Sequence, residues 1–227
     1  MSPVATDFPV LAGLLSSNAQ WAEDINGKNP DFFPCTANGQ APKILWIGCG
    51  DSRVPESVIT ASEPGTIFVH RNIANLFHLH DDNAQAVLEF AVQDLKVEHI
   101  LVVGHSNCGG VQACINAAAA PVEADAPEAT PYDCPAGSNA PLNRWLVPLV
   151  ELVRATQVPE GRDALDFFIE ESVKAQIANV CKTETIFANW ANRSLEKKVY
   201  VHGMVYDLGT GRLKDLGVSR GSESLEV

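Results

Sequence analysis

Positive charge is scarce in this chain of 227 residues, where 16 Lys and Arg stand against 28 Asp and Glu for a net charge of −12. So acidic a balance argues against nucleic acid or anionic membrane as a partner, because both reward basic surface. A small anion is still admissible: a local Arg acts within a Debye length of about 8 Å, while distant charges are screened. Long apolar runs are also missing, and nothing approaches the roughly 20 residues of a membrane span. Met1 to Val10 has no basic stretch and contains Asp7, so it does not read as a signal or transit peptide. The cytoplasm is the expected compartment. Internal repeats are absent. Gly48-x-Gly50 and Gly209-x-Gly211 each lack the third glycine of a dinucleotide fingerprint. Six Cys in a chain this long are not needed as staples, and reduced thiols are the expectation. What remains, 46% hydrophobic and 19% charged residues, is ordinary globular composition with enough length for one sizeable core.

Hydrophobic periodicity then gives the order of elements. Ser17 to Asn26 reads as a helical arm, broken by Pro30 and Pro34. Lys43–Gly48, Thr66–His70 and His99–Val103 read as buried strands. Val54–Ser62 and Gly109–Ala119 read as helices. Asp82–Leu95 reads as another, with Ala86, Val87, Phe90, Ala91 and Leu95 on one face and Asp82 or Asn83 as its N-cap. Ala120 to Pro141 is rich in Ala, Pro and acid, contains no Lys or Arg, and is expected to be an exposed insertion. Leu142–Ala155 and Asp163–Asn192 look helical. Lys198–Asp207 is a strand that turns through Gly209-Thr210-Gly211 into an edge hairpin. The expected fold class is α/β: a mainly parallel central sheet flanked by helices, with a C-terminal edge hairpin and an N-terminal helical arm over residues 1–42. All of 1–227 reads as a single domain.

Two strand-to-helix loops carry the chemistry. One is Cys49-Gly50-Asp51-Ser52-Arg53; the other is Gly104-His105-Ser106-Asn107-Cys108-Gly109-Gly110. If their strands are neighbours in one parallel sheet, Cys49, His105 and Cys108 converge at the carboxyl ends, where such sheets bind ligands. Two thiolates and one imidazole suit Zn²⁺, and three protein ligands leave the fourth position open, as in catalytic sites. Asp51 and Arg53 would then lie beside that position. His78-Leu79-His80-Asp81-Asp82 reads as a solvated loop capping the next helix, with a proton relay as the sharper alternative. Trp145, Phe187 and Trp190 read as core or interface residues.

These loops, with Pro64-Gly65, Phe68-Val69-His70-Arg71-Asn72-Ile73-Ala74-Asn75 and Val201-His202-Gly203 with Val205-Tyr206-Asp207, give the chain its resemblance to the β-class carbonic anhydrases. The resemblance spans nearly the whole sequence. It implies a zinc enzyme that interconverts CO₂ and bicarbonate, working as a homodimer or a dimer of dimers. It also implies Cys49, His105 and Cys108 as zinc ligands and Asp51 with Arg53 as the catalytic dyad. Gln40 would donate to bicarbonate, Phe68 and Phe90 would line a CO₂ pocket partly across the dimer contact, and Gly110 would belong to the substrate site. Trp46, Arg71 and Tyr206 match a bicarbonate regulatory pocket of some bacterial members. The chain departs from many members in having Phe90 where they carry Tyr, and its 120–141 segment is longer than in compact ones. Two rivals stand beside this expectation. One is hydrolysis of carbonyl sulfide or carbon disulfide on the same scaffold. The other is a non-catalytic, bicarbonate-sensing zinc protein, against which the Asp51/Arg53 pair and Gln40 argue.

Overall fold

The computed structural model describes residues 3–120 and 130–225. The chain divides into two compact units, Met1–Gln40 and Ala41–Val227. The first contains α1 (Pro9–Lys28) and α2 (Phe32–Ala37). Helix α1 is longer at both ends than the apolar spacing suggests. Pro30 falls just beyond it. Pro34, by contrast, lies inside the first turn of α2, where its missing N–H has no helical acceptor to lose. Within this unit the rings of Trp21 and Phe33 meet edge to face at 5.7 Å.

In the second unit five strands form one sheet in the order β2-β1-β3-β4-β5. Their spans are β1 Ile44–Cys49, β2 Ile67–Asn72, β3 His99–His105, β4 Tyr200–Asp207 and β5 Arg212–Asp215. The first four are parallel and β5 closes the edge as an antiparallel hairpin on β4. Helices α3 (Glu56–Ile59), α4 (Asp82–Glu89), α5 (Gly109–Ala119), α6 (Pro141–Ala155), α7 (Ala164–Cys181) and α8 (Glu184–Ala191) flank or connect the strands. No described helix is long and apolar enough to cross a membrane.

Two apolar cores result. In the first, Leu45, Ile47, Ile100, Val102 and Val201 of the sheet pack against Leu88, Ile177, Ile186 and Trp190. The second lies towards the carboxyl ends of the strands, where Leu76, Val111, Leu146, Leu149 and Phe168 surround Cys49 and Cys108. The metal-ligand candidates are thus part of a packed wall, which holds their side chains in place.

Three expectations need correction. Asp81, not Asp82 or Asn83, caps α4, its carboxylate accepting from Asn83 N at 3.0 Å. The buried stripe is Ala84, Leu88, Ala91 and Val92, whereas Ala86 and Phe90 are exposed. Both stripes are apolar at helical spacing, so periodicity does not choose between them. A π turn over Phe90–Asp94, closed by Leu95 N donating to Phe90 O, ends this segment. The stretch Asp163–Asn192 is two helices rather than one. Thr183 breaks it: its hydroxyl donates to Val180 O at 2.7 Å and accepts from Ile186 N, ending α7 and capping α8. Of the 120–141 segment, residues 121–129 lie outside the described residues. At its end Asn143 gathers Tyr132 and the carbonyl of Gly137 by hydrogen bonds.

Candidate metal centre

Strand β1 ends on Cys49, and β3, its parallel neighbour, ends on His105. Helix α5 starts immediately after, with Cys108 as its N-cap. The ligand atoms of these three residues lie within 4.8 Å of one another, and all three residues are buried. His105 Nδ1 is 2.9 Å from Ser106 O, a contact in which only the ring N–H can donate. That assigns the proton to Nδ1 and leaves the Nε2 lone pair facing the sulfurs. Nε2 is fully buried and has no hydrogen-bond partner among the described residues. An orphaned acceptor at such depth is costly unless something else satisfies it. A borderline divalent cation such as zinc fits this donor set of two thiols and one imidazole.

Electrostatics point the same way. A hydrogen bond from Cys108 lowers the Cys49 thiol, against the opposing effect of burial, and His105 and the Asp51 backbone N–H lower it further. Cys108 moves up in exchange, through the same bond and through burial, while the Gly110 and Val111 N–H groups of the α5 first turn pull it down. One proton is thus shared between two sulfurs, in a position a cation would take over. Burial alone would lower His105, but the neighbouring Cys49 carries it upward.

Beside these three residues stands Asp51, its Oδ2 3.8 Å from His105 Nε2. Arg53 grips the carboxylate in a fork, Nε to Oδ1 at 3.0 Å and Nη2 to Oδ2 at 2.6 Å, and its backbone N–H adds a third bond at 2.9 Å. The guanidinium, the leading cause, holds the Asp51 carboxyl well below the usual carboxylate range. Arg53 also reaches Asn107 O at 3.4 Å, tying the two loops together.

The remaining candidates fall in different places. Phe68 and Phe90 stand together with ring centroids 5.8 Å apart, and Phe90 is 45% exposed. Gly110 is buried in the first turn of α5, where an added Cβ would sit 3.1 Å from the Cβ of Ala74. Ala74 and Asn75 both adopt left-handed backbone angles there, so Gly110 makes room for a strained turn. Arg71 directs its guanidinium at the metal loop itself: Nε donates to Cys49 O at 2.8 Å and Nη2 to Asp51 O at 2.6 Å. Trp46 is 1% exposed, with its indole N–H unpartnered among the described residues. Tyr206 pairs with His105 across β4 and β3, whereas Trp46 pairs with Leu101 four residues earlier along β3. Gln40 is exposed and ends the N-terminal unit. His78, read as solvated, is half-buried and stacks on Trp145 with centroids 4.1 Å apart. The Trp145 indole donates to Ile73 O at 2.9 Å.

Two positioning residues escaped the sequence reading. Ser106 N donates to Tyr206 O at 2.9 Å, and Ser106 Oγ accepts from Leu208 N at 2.8 Å. Asp207 receives that hydroxyl at 3.5 Å and gathers Gly209 N and the Thr210 hydroxyl at 2.8 Å each. Together they pin the carbonyl that orients His105. The polar pair Ser106 and Asp207, each at the end of a strand, was the available signal.

A parallel sheet that delivers two thiols and an imidazole to one point, with an Arg-clamped carboxylate beside them, defines an α/β protein built around a metal centre. A family model described as carbonic anhydrase matches residues 44–213. A carbonic anhydrase of Emericella nidulans is 34% identical over 210 residues, covering 90% of this chain and 82% of that protein. Among solved structures, a tetrameric β-carbonic anhydrase of Sordaria macrospora is 36% identical with a TM-score of 0.77, covering 94% of this chain and 100% of the other. A Coccomyxa β-carbonic anhydrase solved with acetazolamide is 34% identical, also at a TM-score of 0.77, covering 92% and 87%. The chain belongs to the carbonic anhydrase family, in its β class.

Proposed function

We propose that this chain catalyses the reversible hydration of CO₂ to bicarbonate and a proton, with zinc held by Cys49, His105 and Cys108. The observation that carries the reading is His105: its tautomer is fixed by Ser106 O, and its buried Nε2 faces two sulfurs without a partner among the described residues. When bound, zinc supplies Lewis acidity, which makes a water molecule a competent nucleophile near neutral pH.

The chain's own residues do the rest. Asp51, kept ionised by Arg53, accepts a hydrogen bond from the attacking water and so orients its lone pair towards the carbon of CO₂. Arg53 occupies both carboxylate oxygens and thereby keeps Asp51 from closing the site as a fourth ligand. Phe68 and Phe90, whose rings stand together, would offer an apolar wall suited to CO₂ partly across a dimer contact, since Phe68 lies opposite Leu45, four residues before Cys49. Hydrolysis of carbonyl sulfide or carbon disulfide would use the same donors, but the relatives above are named carbonic anhydrases. A purely sensing role would leave the Asp51–Arg53 clamp without a task. Stopped-flow CO₂ hydration tests the proposal. Zinc-loaded protein is expected to be active, to lose activity on chelation and to regain it with zinc. Activity that survives complete zinc removal, or its absence from zinc-loaded protein, would refute it.

A further inference from the structure

A second imidazole cluster lies at the other end of the sheet. His99 opens β3 and His105 closes it, so roughly 20 Å separate them at about 3.3 Å per residue. His99 pairs with Tyr200 and Leu101 with His202, which sets His99 and His202 diagonally on one face of neighbouring strands. His99 Nδ1 and His202 Nε2 are 3.1 Å apart. His202 Nδ1 is 2.8 Å from Ser219 Oγ. If Ser219 accepts the Nδ1 proton, the Nε2 lone pair points at His99.

We propose that His99 and His202 form a second cation site, for a borderline divalent transition ion such as Ni²⁺ or Cu²⁺. Metal–nitrogen bonds of about 2.0–2.1 Å at cis or tetrahedral angles place two ligand nitrogens about 2.8–3.4 Å apart. The observed separation falls inside that window, so the ion can take the place of the proton now between the rings once the two rings turn to aim both lone pairs at it. The displaced proton is lost from His99 Nδ1 while Nε2 takes one from solvent, and His99 is exposed enough for that exchange. Burial first, and then His99, lower the proton affinity of His202, and the Asp215 carboxylate opposes them with a negative charge that also favours a cation. Ser219 plays the outer partner that fixes a ligand's tautomer. No group of three or more His, Cys or carboxylate ligands forms here among the described residues, so water completes the shell. Imidazoles without carboxylate ligands select Ni²⁺, Cu²⁺ or Zn²⁺ over Mg²⁺ and Ca²⁺.

Calorimetric titration of the zinc-loaded, full-length protein with Ni²⁺ tests this site. The wild type is expected to take up one Ni²⁺ per chain, with no heat from Mg²⁺. His99→Gln and His202→Gln abolish the uptake, Ser219→Ala weakens it about tenfold, and His80→Gln, at an exposed histidine outside the cluster, leaves it intact. Zinc content and circular dichroism report folding in each variant. Should His202→Gln not fold, the exposed His99→Gln carries the test. No uptake by the wild type, or equal uptake by His99→Gln, overturns the proposal.

Discussion

What Asp51 can do depends on which of its neighbours holds it. In the structure both carboxylate oxygens belong to Arg53, and one of them, Oδ2, stands 3.8 Å from His105 Nε2. Arg53→Ala frees Asp51 to turn towards the metal. The expected outcome is a fall of about 10²-fold in CO₂ hydration at unchanged zinc content, read by stopped flow and metal analysis on the same sample. Wild-type turnover in that variant would mean that the clamp has no catalytic role. Cys49, His105 and Cys108 could be picked out in the sequence because each ends a strand or starts a helix, and their residue types suit one ion. The role of Arg71 could not, since its partners are the backbone carbonyls of Cys49 and Asp51, which a sequence does not display. Nor does an alanine announce a left-handed backbone, so the strained turn at Ala74 and Asn75 beneath Gly110 was invisible.

Helix α7 lies directly on β3 and β4, and glycines make the approach possible. A Cβ at Gly203 would meet Ile177 Cδ1 at 2.6 Å, Val218 Cγ2 at 2.8 Å and Val173 Cγ1 at 3.1 Å. At Gly104 it would meet Val173 Cγ2 at 2.9 Å. Gly203→Ala is therefore expected to destabilise the protein by about 1–3 kcal/mol through overpacking, measured by urea unfolding. Gly13→Ala, in α1 with open space around it, should be neutral or stabilising by up to about 1 kcal/mol. Equal midpoints for the two variants would contradict the packing argument. The βα alternation was readable because β1 and β3 are apolar runs bounded by turn residues and β4 alternates; the strand order, set by pairings between distant segments, was not. The division of α7 from α8 depends on one hydroxyl, Thr183, and the choice of stripe on α4 on which of two apolar faces meets the sheet; neither is a matter of periodicity.

At the scale of the molecule, the exposed aromatic Phe90 next to Phe68 is the feature that a lone chain leaves unfinished. We propose a homodimer or dimer of dimers that would cover it; the Sordaria relative is described as tetrameric. Light scattering on the zinc-loaded protein should read a multiple of the 24.4 kDa chain, and a monomer at micromolar concentration would remove the dimer from the account. The acidic surface, net charge −12, fits a small neutral substrate and an anionic product that is readily released. All of this presupposes that the ends of β1 and β3 hold one ion between them. X-ray absorption at the zinc K-edge of the purified protein addresses that most directly. Two sulfur scatterers at about 2.3 Å and one imidazole nitrogen at about 2.0–2.1 Å, with one light atom completing the shell, are expected. A zinc shell without sulfur, or a folded protein that takes up no zinc, would contradict it.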